Sequence, residues 1–235
     1  MNLKQVMAKL KSLGSEQTAK TYRNHGADGD IYGVKIADLK KIIRAVKGDQ
    51  ELAMQLWDTN NSDAMYMAGL LADGNKMTKT QLNKWAKTAW WYMLSEHSVP
   101  GVASEHKDAI GLANKWITSR KENIATSGWC SYSAVLATRP DEELDLAEIK
   151  GLLKEIEQNV HDAPNRVRHC MNNFVISTGT YVKPLLPAAK ATAKKIGKVT
   201  VDVGNTSCKI PLATDYIAKI ESMDRVGKKR QSAKY

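Results

Sequence analysis

A chain of 235 residues, 43% hydrophobic and 26% charged, is long enough for one large domain or two small ones around a sizeable core. Three scattered cysteines without a CxxC pair (Cys130, Cys170, Cys208) argue against a disulfide framework or zinc ribbon, and no apolar run approaches the ~20 residues that cross a bilayer. The excess of 35 Lys+Arg over 25 Asp+Glu gives +10, which favours a polyanionic partner because each neutralised phosphate releases condensed counterions.

Taken in order, the segments read almost entirely as helix. The opening residues Met1 to Val6 lack the apolar run of a secretory signal, so a cytoplasmic location is expected, with no membrane contact. Leu3, Val6, Met7, Leu10 and Leu13 recur at helical spacing. Gly26, Gly29 and Gly33 follow in a loop whose spacing misses both nucleotide-binding fingerprints. Further apolar stripes run through Leu39, Ile42, Ile43 and Val46, then Ala64, Met67, Ala68, Leu71 and Ala72. Thr78 to Gln81 can form a capping box, since a Thr hydroxyl and a Gln amide would satisfy orphan backbone groups. A stripe through Leu82, Trp85, Ala86, Ala89, Trp90, Met93 and Leu94 comes next. Pro140 to Glu143 puts acid at a helix start, where the macrodipole favours it, ahead of Ile149, Leu152, Leu153, Ile156 and Val160. Val199 to Val203 is β-branched and alternating, and the turn residues Gly204 to Ser207 allow a short C-terminal β-hairpin reaching Pro211. The fold class expected is therefore all-α, a solenoid of about ten or more helices. It comprises one domain over 1–226 and a mobile basic tail, 227–235, carrying Lys228, Lys229 and Arg230.

Two predicted helices present a basic face. At about 100° per residue, a helix from Gln81 to His97 places Trp91 opposite its own core stripe, with Lys84, Lys87, Thr88 and Ser95. An exposed tryptophan among lysines offers a stacking surface beside phosphate-seeking charge. From Asn165 to Ile176, Val167, Cys170, Met171 and Phe174 point inward. Arg166, His169 and Asn173 share the other face, flanked by Arg168 and Asn172, where Arg can fork onto phosphate and Asn or His can reach sugar or base edges. The five histidines form no HExxH pattern, so neither metal nor cofactor is expected. Asp141, Glu142, Glu143 and Asp145 read as a solvated helix start, and no GxSxG elbow is present.

The block Ile31 to Ile42 (IYGVKIADLKKI) resembles the opening signature of the HEAT-like DNA alkylation-repair family. So do Glu51 to Asp58 (ELAMQLWD) and Asp63 to Asp73 (DAMYMAGLLAD). A looser resemblance continues through Trp85, Trp90 and Trp91, and from Val167 to Ile176. It implies a HEAT-like α-solenoid gripping DNA in a basic concave groove and, for active members, hydrolysis of the N-glycosidic bond of alkylated purines. Active members carry a tryptophan followed four residues later by a catalytic aspartate, whose charge stabilises a developing oxocarbenium ion. Aligning Trp91 with that tryptophan places Ser95 at the aspartate position, and serine offers no negative charge near neutral pH. Glu96 is adjacent but turns about 100° toward the core, which leaves it a weak catalytic candidate. A second family landmark, an aromatic on the later helix, is replaced by Asn173.

The reading that follows is a monomeric, duplex-DNA-binding member of the family whose glycosylase activity is doubtful. Its contacts are expected from Lys84, Lys87, Trp91, Ser95, Arg166, Arg168, His169, Asn173, Lys228, Lys229 and Arg230. The alternatives are an active alkylpurine glycosylase using Glu96 and an α-solenoid scaffold for RNA or acidic proteins.

Overall fold

Side-chain caps start most helices in the first half of the chain, where they satisfy backbone N–H groups that have no partner within the helix. The structure is a computed structural model describing residues 1–234. Asn2 and Gln5 box the start of α1 (Leu3–Leu13), and Ser15 caps α2 (Glu16–Asn24). After α3 (Ile36–Ala45), Asp49 caps α4 (Gln50–Asp58) and Asn61 caps α5 (Ser62–Leu71). Thr78 and Gln81 form the expected box at α6 (Lys79–Thr88). The remaining helices are α7 (Val99–Ala103), α8 (Ala109–Ile117), α9 (Glu122–Thr138), α10 (Leu146–Asn159), α11 (Asn165–Tyr181), α12 (Leu186–Ile196) and α13 (Ala213–Ser222).

Composition decides which layer each helix joins. From Ser62 to Gly69 every residue of α5 is buried, and a helix apolar on all sides belongs inside. The helices α5, α7, α9, α11 and α13 pack in succession as an inner layer. The single-stripe helices α4, α6, α8, α10 and α12 cover them from outside. Trp57 of α4 and Trp85 of α6 stack at 4.0 Å, while Gly128 brings α9 against α8 so closely that a Cβ there would lie 2.5 Å from the Ile117 backbone nitrogen. Two core clusters result, one under the N-terminal half and one under the C-terminal half.

The block Ile31 to Val34 wraps around a buried carboxylate on α5. Asp63 accepts backbone N–H bonds from Tyr32, Gly33 and Val34 at 2.7, 3.1 and 2.8 Å, charge-assisted bonds that pin the loop to the inner layer.

Three sequence expectations meet a different outcome. The segment Val199 to Pro211 forms no hairpin; among the described residues it is extended without a ladder. Asn165 at the start of α11 takes the partners a second strand would supply, donating to the Asp202 carbonyl at 2.8 Å and accepting from its N–H at 2.7 Å. Gly204 (φ +71°) then lies against the Asn24 carbonyl, where a Cβ would approach to 2.7 Å, so the segment crosses to the N-terminal half.

The helix expected from Gln81 to His97 is broken. α6 stops at Thr88, and a π-helical turn, Leu94–Ser98, leads into α7. The Asn123 side-chain amide lies within bonding distance of the Ala86, Lys87 and Ala89 carbonyls (3.0, 3.2 and 3.3 Å), which satisfies the end of α6 and lets the chain turn.

The basic tail lies docked against the inner helices. Gly227 N–H donates to the Thr180 carbonyl at 2.8 Å and Arg230 N–H to the Ala137 carbonyl at 2.7 Å. Lys229 Nζ reaches the Leu136 carbonyl at 2.9 Å and Asp141 at 2.8 Å. Lys234 Nζ donates to the Ala72 carbonyl and to Glu105 at 2.7 Å. Each carbonyl belongs to the C-terminal end of an inner helix, where partial negative charge collects. The tail is thus a cationic strap across the ends of α11, α9 and α5.

Candidate functional site

The break after α6 and the start of α11 bring one buried acid against one partly buried guanidinium. Glu96 sits in the π-helical turn with its side chain only 3% exposed. Arg166 grips both of its oxygens, Nε to Oε1 at 2.6 Å and Nη2 to Oε2 at 2.7 Å, and His169 Nδ1 stands 3.1 Å from Oε2. Burial pushes the Glu96 carboxyl upward, but hydrogen bonds from His169 and Arg166 outweigh it and hold the group below the usual carboxylate range. Burial likewise works against the charge on Arg166, and its bond to Glu96 more than restores it. The guanidinium also lies 4.1 Å over the Tyr92 ring, and the Tyr92 hydroxyl meets His25 Nδ1 at 3.0 Å.

Two hollows open on either side of this cluster, and Glu96, His97 and His169 border both. One, of about 410 Å³, lies toward the helix starts, between Trp90, Tyr92, Arg166 and the extended segment with Lys209. The other, of about 370 Å³, runs along α9 and α11 to the strap and includes Cys130, Asn173, Lys228 and Arg230.

Of the residues singled out in the sequence, Arg166, His169 and Asn173 share a face as expected, and Asn173 Nδ2 lies 3.3 Å from His169 Nε2. Arg168 lines neither hollow, and its Nε is buried without a partner among the described residues. Lys84 is exposed but ion-paired with Asp58 at 2.7 Å. Lys87 is exposed with no ion pair among the described residues. Lys228 stands 4.0 Å from Asp224, and Lys229 is consumed by the strap.

Trp91 requires correction. It is 5% exposed, packs on Tyr22 with centroids 5.4 Å apart and donates Nε1–H to the His25 carbonyl at 2.8 Å. The turn after Thr88 swings it inward among Tyr22 and Tyr92, and it still borders the hollow of about 410 Å³. Ser95 is 3% exposed, with its hydroxyl 3.4 Å from the Tyr92 carbonyl, and it lines neither hollow. Glu96 is held as an anion in this arrangement, with one lone pair of each oxygen engaged by the guanidinium.

Sequence reasoning passes over His25, Trp90, Tyr92 and Lys209, all of which border the hollow at the helix starts. Of these, Trp90 carries a signal, as the neighbour of a singled-out residue; helical spacing puts it on the core stripe only while the helix runs unbroken.

Comparison with known proteins gives three findings. A family described as DNA alkylation repair enzyme matches residues 6–193. Uncharacterized proteins of Listeria innocua and Listeria monocytogenes are each 38% identical over 221 residues, covering 92% of this chain and 95% of theirs. A solved structure described as a new family of proteins related to the HEAT-like repeat DNA glycosylases with affinity for branched DNA structures has a TM-score of 0.91. It is 35% identical, and the match covers 98% of both chains.

Proposed function

The chain belongs to the DNA alkylation repair enzyme family, and from that footing we propose that it binds DNA along its inner face without using Glu96 to cleave glycosidic bonds. The observation that carries the proposal is the polarity of that face. The inner helices α9 and α11 start side by side, joined where the Arg166 N–H donates to Glu122 at 2.6 Å. Helix starts collect partial positive charge that favours phosphate. Lys87, Lys121 and Lys209 stand exposed near these starts without ion pairs among the described residues. At the opposite ends the cationic strap cancels the negative helix termini, so neither rim repels a polyanion.

The described affinity of the structural relative for branched DNA supports a preference for junctions over linear duplex. Arg166 contributes by shaping the hollow beside Trp90 and Tyr92. Its charge is already matched by Glu96, so the phosphate contacts fall to the unpaired lysines.

The test is an anisotropy titration with a four-way junction, linear duplex, single-stranded DNA and RNA of equal length at matched salt, run beside base release from alkylated duplex. Tighter junction binding that weakens steeply with salt, and no released purine, is the expected result. Purine release that disappears in Glu96→Gln would replace this reading with an active glycosylase. Tighter binding of RNA than of any DNA would replace it with a scaffold role.

A further inference from the structure

Cys130 on α9 and Cys170 on α11 face each other across the middle of the inner layer, with Sγ to Sγ at 3.1 Å. Both thiols are free. Each sulfur needs to move only about half an ångström to reach the ~2.05 Å of a disulfide bond. Cys130 is partly exposed and borders the hollow of about 370 Å³, whereas Cys170 is fully buried behind it. We propose that Cys130 and Cys170 form a modification site, an oxidisable dithiol that a small hydroperoxide converts to a disulfide linking α9 to α11.

Access assigns the order of events. A hydroperoxide entering the hollow meets Cys130 first. The Cys130 thiolate attacks the near peroxide oxygen, the O–O bond breaks, and Cys130 becomes a sulfenic acid as the far oxygen leaves with a proton as water or alcohol. Cys170 then attacks the oxidised sulfur. The S–S bond forms, the S–O bond breaks, and hydroxide departs with the Cys170 proton as a second water. Two thiols lose two electrons and the peroxide gains them. Burial pushes the Cys170 thiol well up, consistent with its acting second, as the resolving partner.

The surroundings favour this over a metal site, although Glu96, His169 and Cys170 hold donor atoms within 4.8 Å of one another. Arg166 already places a cation there, bonded to both Glu96 oxygens and 3.3 Å from His169 Nδ1. A divalent ion would have to displace that charge or sit against it. Cys208, exposed in the extended segment, serves as an internal control with no thiol partner among the described residues.

The experiment treats the full reduced chain with an equimolar amount of hydrogen peroxide, alkylates it in denaturant and maps the peptides without reduction. The expected product is a Cys130–Cys170 cross-linked peptide, two hydrogens lighter than the sum of its parts and reversed by dithiothreitol, with Cys208 alkylated in the same molecules. Its yield should exceed by roughly tenfold that obtained when the chain is oxidised while unfolded, since proximity raises the effective thiol concentration. In Cys170→Ala, Cys130 should accumulate as a sulfenic acid that dimedone traps. Full alkylation of all three cysteines after peroxide, or cross-links running mainly through Cys208, would overturn the proposal. So would protection of both thiols from alkylation by equimolar zinc in the unoxidised chain, which would make the cluster a metal site instead.

Discussion

Replacing Glu96 by glutamine keeps the shape of the side chain and removes its charge, leaving the partly buried Arg166 against a neutral amide. Breaking a buried ion pair by neutralising one partner costs about 3–5 kcal/mol, because the survivor remains desolvated. Here the cost is reduced on one side. The Arg166 side chain is 19% exposed, borders the open hollow of about 410 Å³ and keeps its place 4.1 Å over Tyr92. A loss of about 2–3 kcal/mol follows for Glu96→Gln. Arg166→Met should cost more, about 3–4 kcal/mol, since it strands a carboxylate with only His169 beside it. The double variant should recover about 2 kcal/mol of the sum of the two losses, the signature of direct coupling.

Urea denaturation of the four proteins near neutral pH measures these values. The pH dependence has a defined sign. The folded carboxyl lies below its ordinary 4.5, so its contribution is complete above that value and is lost as pH falls through the lowered one. The stability gap between wild type and Glu96→Gln should therefore shrink on acidification below about pH 4.5. Equal stability near neutral pH, or a gap unchanged down to about pH 3, would refute the reasoning that Arg166 and His169 hold Glu96 as a buried anion.

Other consequences follow from particular contacts. In Gly128→Ala, a Cβ 2.5 Å from the Ile117 nitrogen and 2.9 Å from the Ala113 carbonyl forces α8 from α9. A loss of about 2 kcal/mol or more in a urea melt is expected, and a neutral effect would show that the helices separate easily. Deleting residues 228–235 removes the bonds of Lys229, Arg230 and Lys234, which should lower stability by about 2 kcal/mol, read as a fall in Tm. An unchanged Tm would mean that the strap binds no more tightly than solvent does. Lys87→Ala and Lys209→Ala should each weaken binding to every DNA sequence alike and make the slope of log affinity against log salt shallower by about one. Sequence-dependent losses would instead point to base contacts by these residues.

The apolar stripes and the capping residues make the helices legible from the amino-acid order alone, because both depend on neighbours three and four positions away. The box at Thr78 and Gln81 is the clearest case. The blocks around Tyr32 and Asp63 are visible in the sequence as a resemblance, and their physical reason emerges only in three dimensions, where one carboxylate gathers three N–H groups of a distant loop. The site is half legible. Arg166, His169 and Asn173 fall on one face by helical arithmetic alone. The partner of Arg166 lies 70 positions away, and nothing in local pattern links the two. Trp91 escapes prediction for a related reason. Asn123, more than 30 positions downstream, ends α6 early, and once the helix turns, every angle counted past Thr88 loses its meaning. The extended segment reads as a hairpin in sequence because its second strand is replaced by a single asparagine, Asn165, which a propensity scale cannot anticipate.

The strap also bears on how the two core clusters open. Lys229 and Arg230 rest on carbonyls of α9, and Lys234 rests on the Ala72 carbonyl and pairs with Glu105, so one short segment clasps the C-terminal helices to α5 in the other half. Regions of a protein come apart separately only where few contacts hold them to their neighbours. With the clasp in place, fraying of α5 or of α9 has to release a segment that both share, which couples the fluctuations of two cores that would otherwise breathe apart.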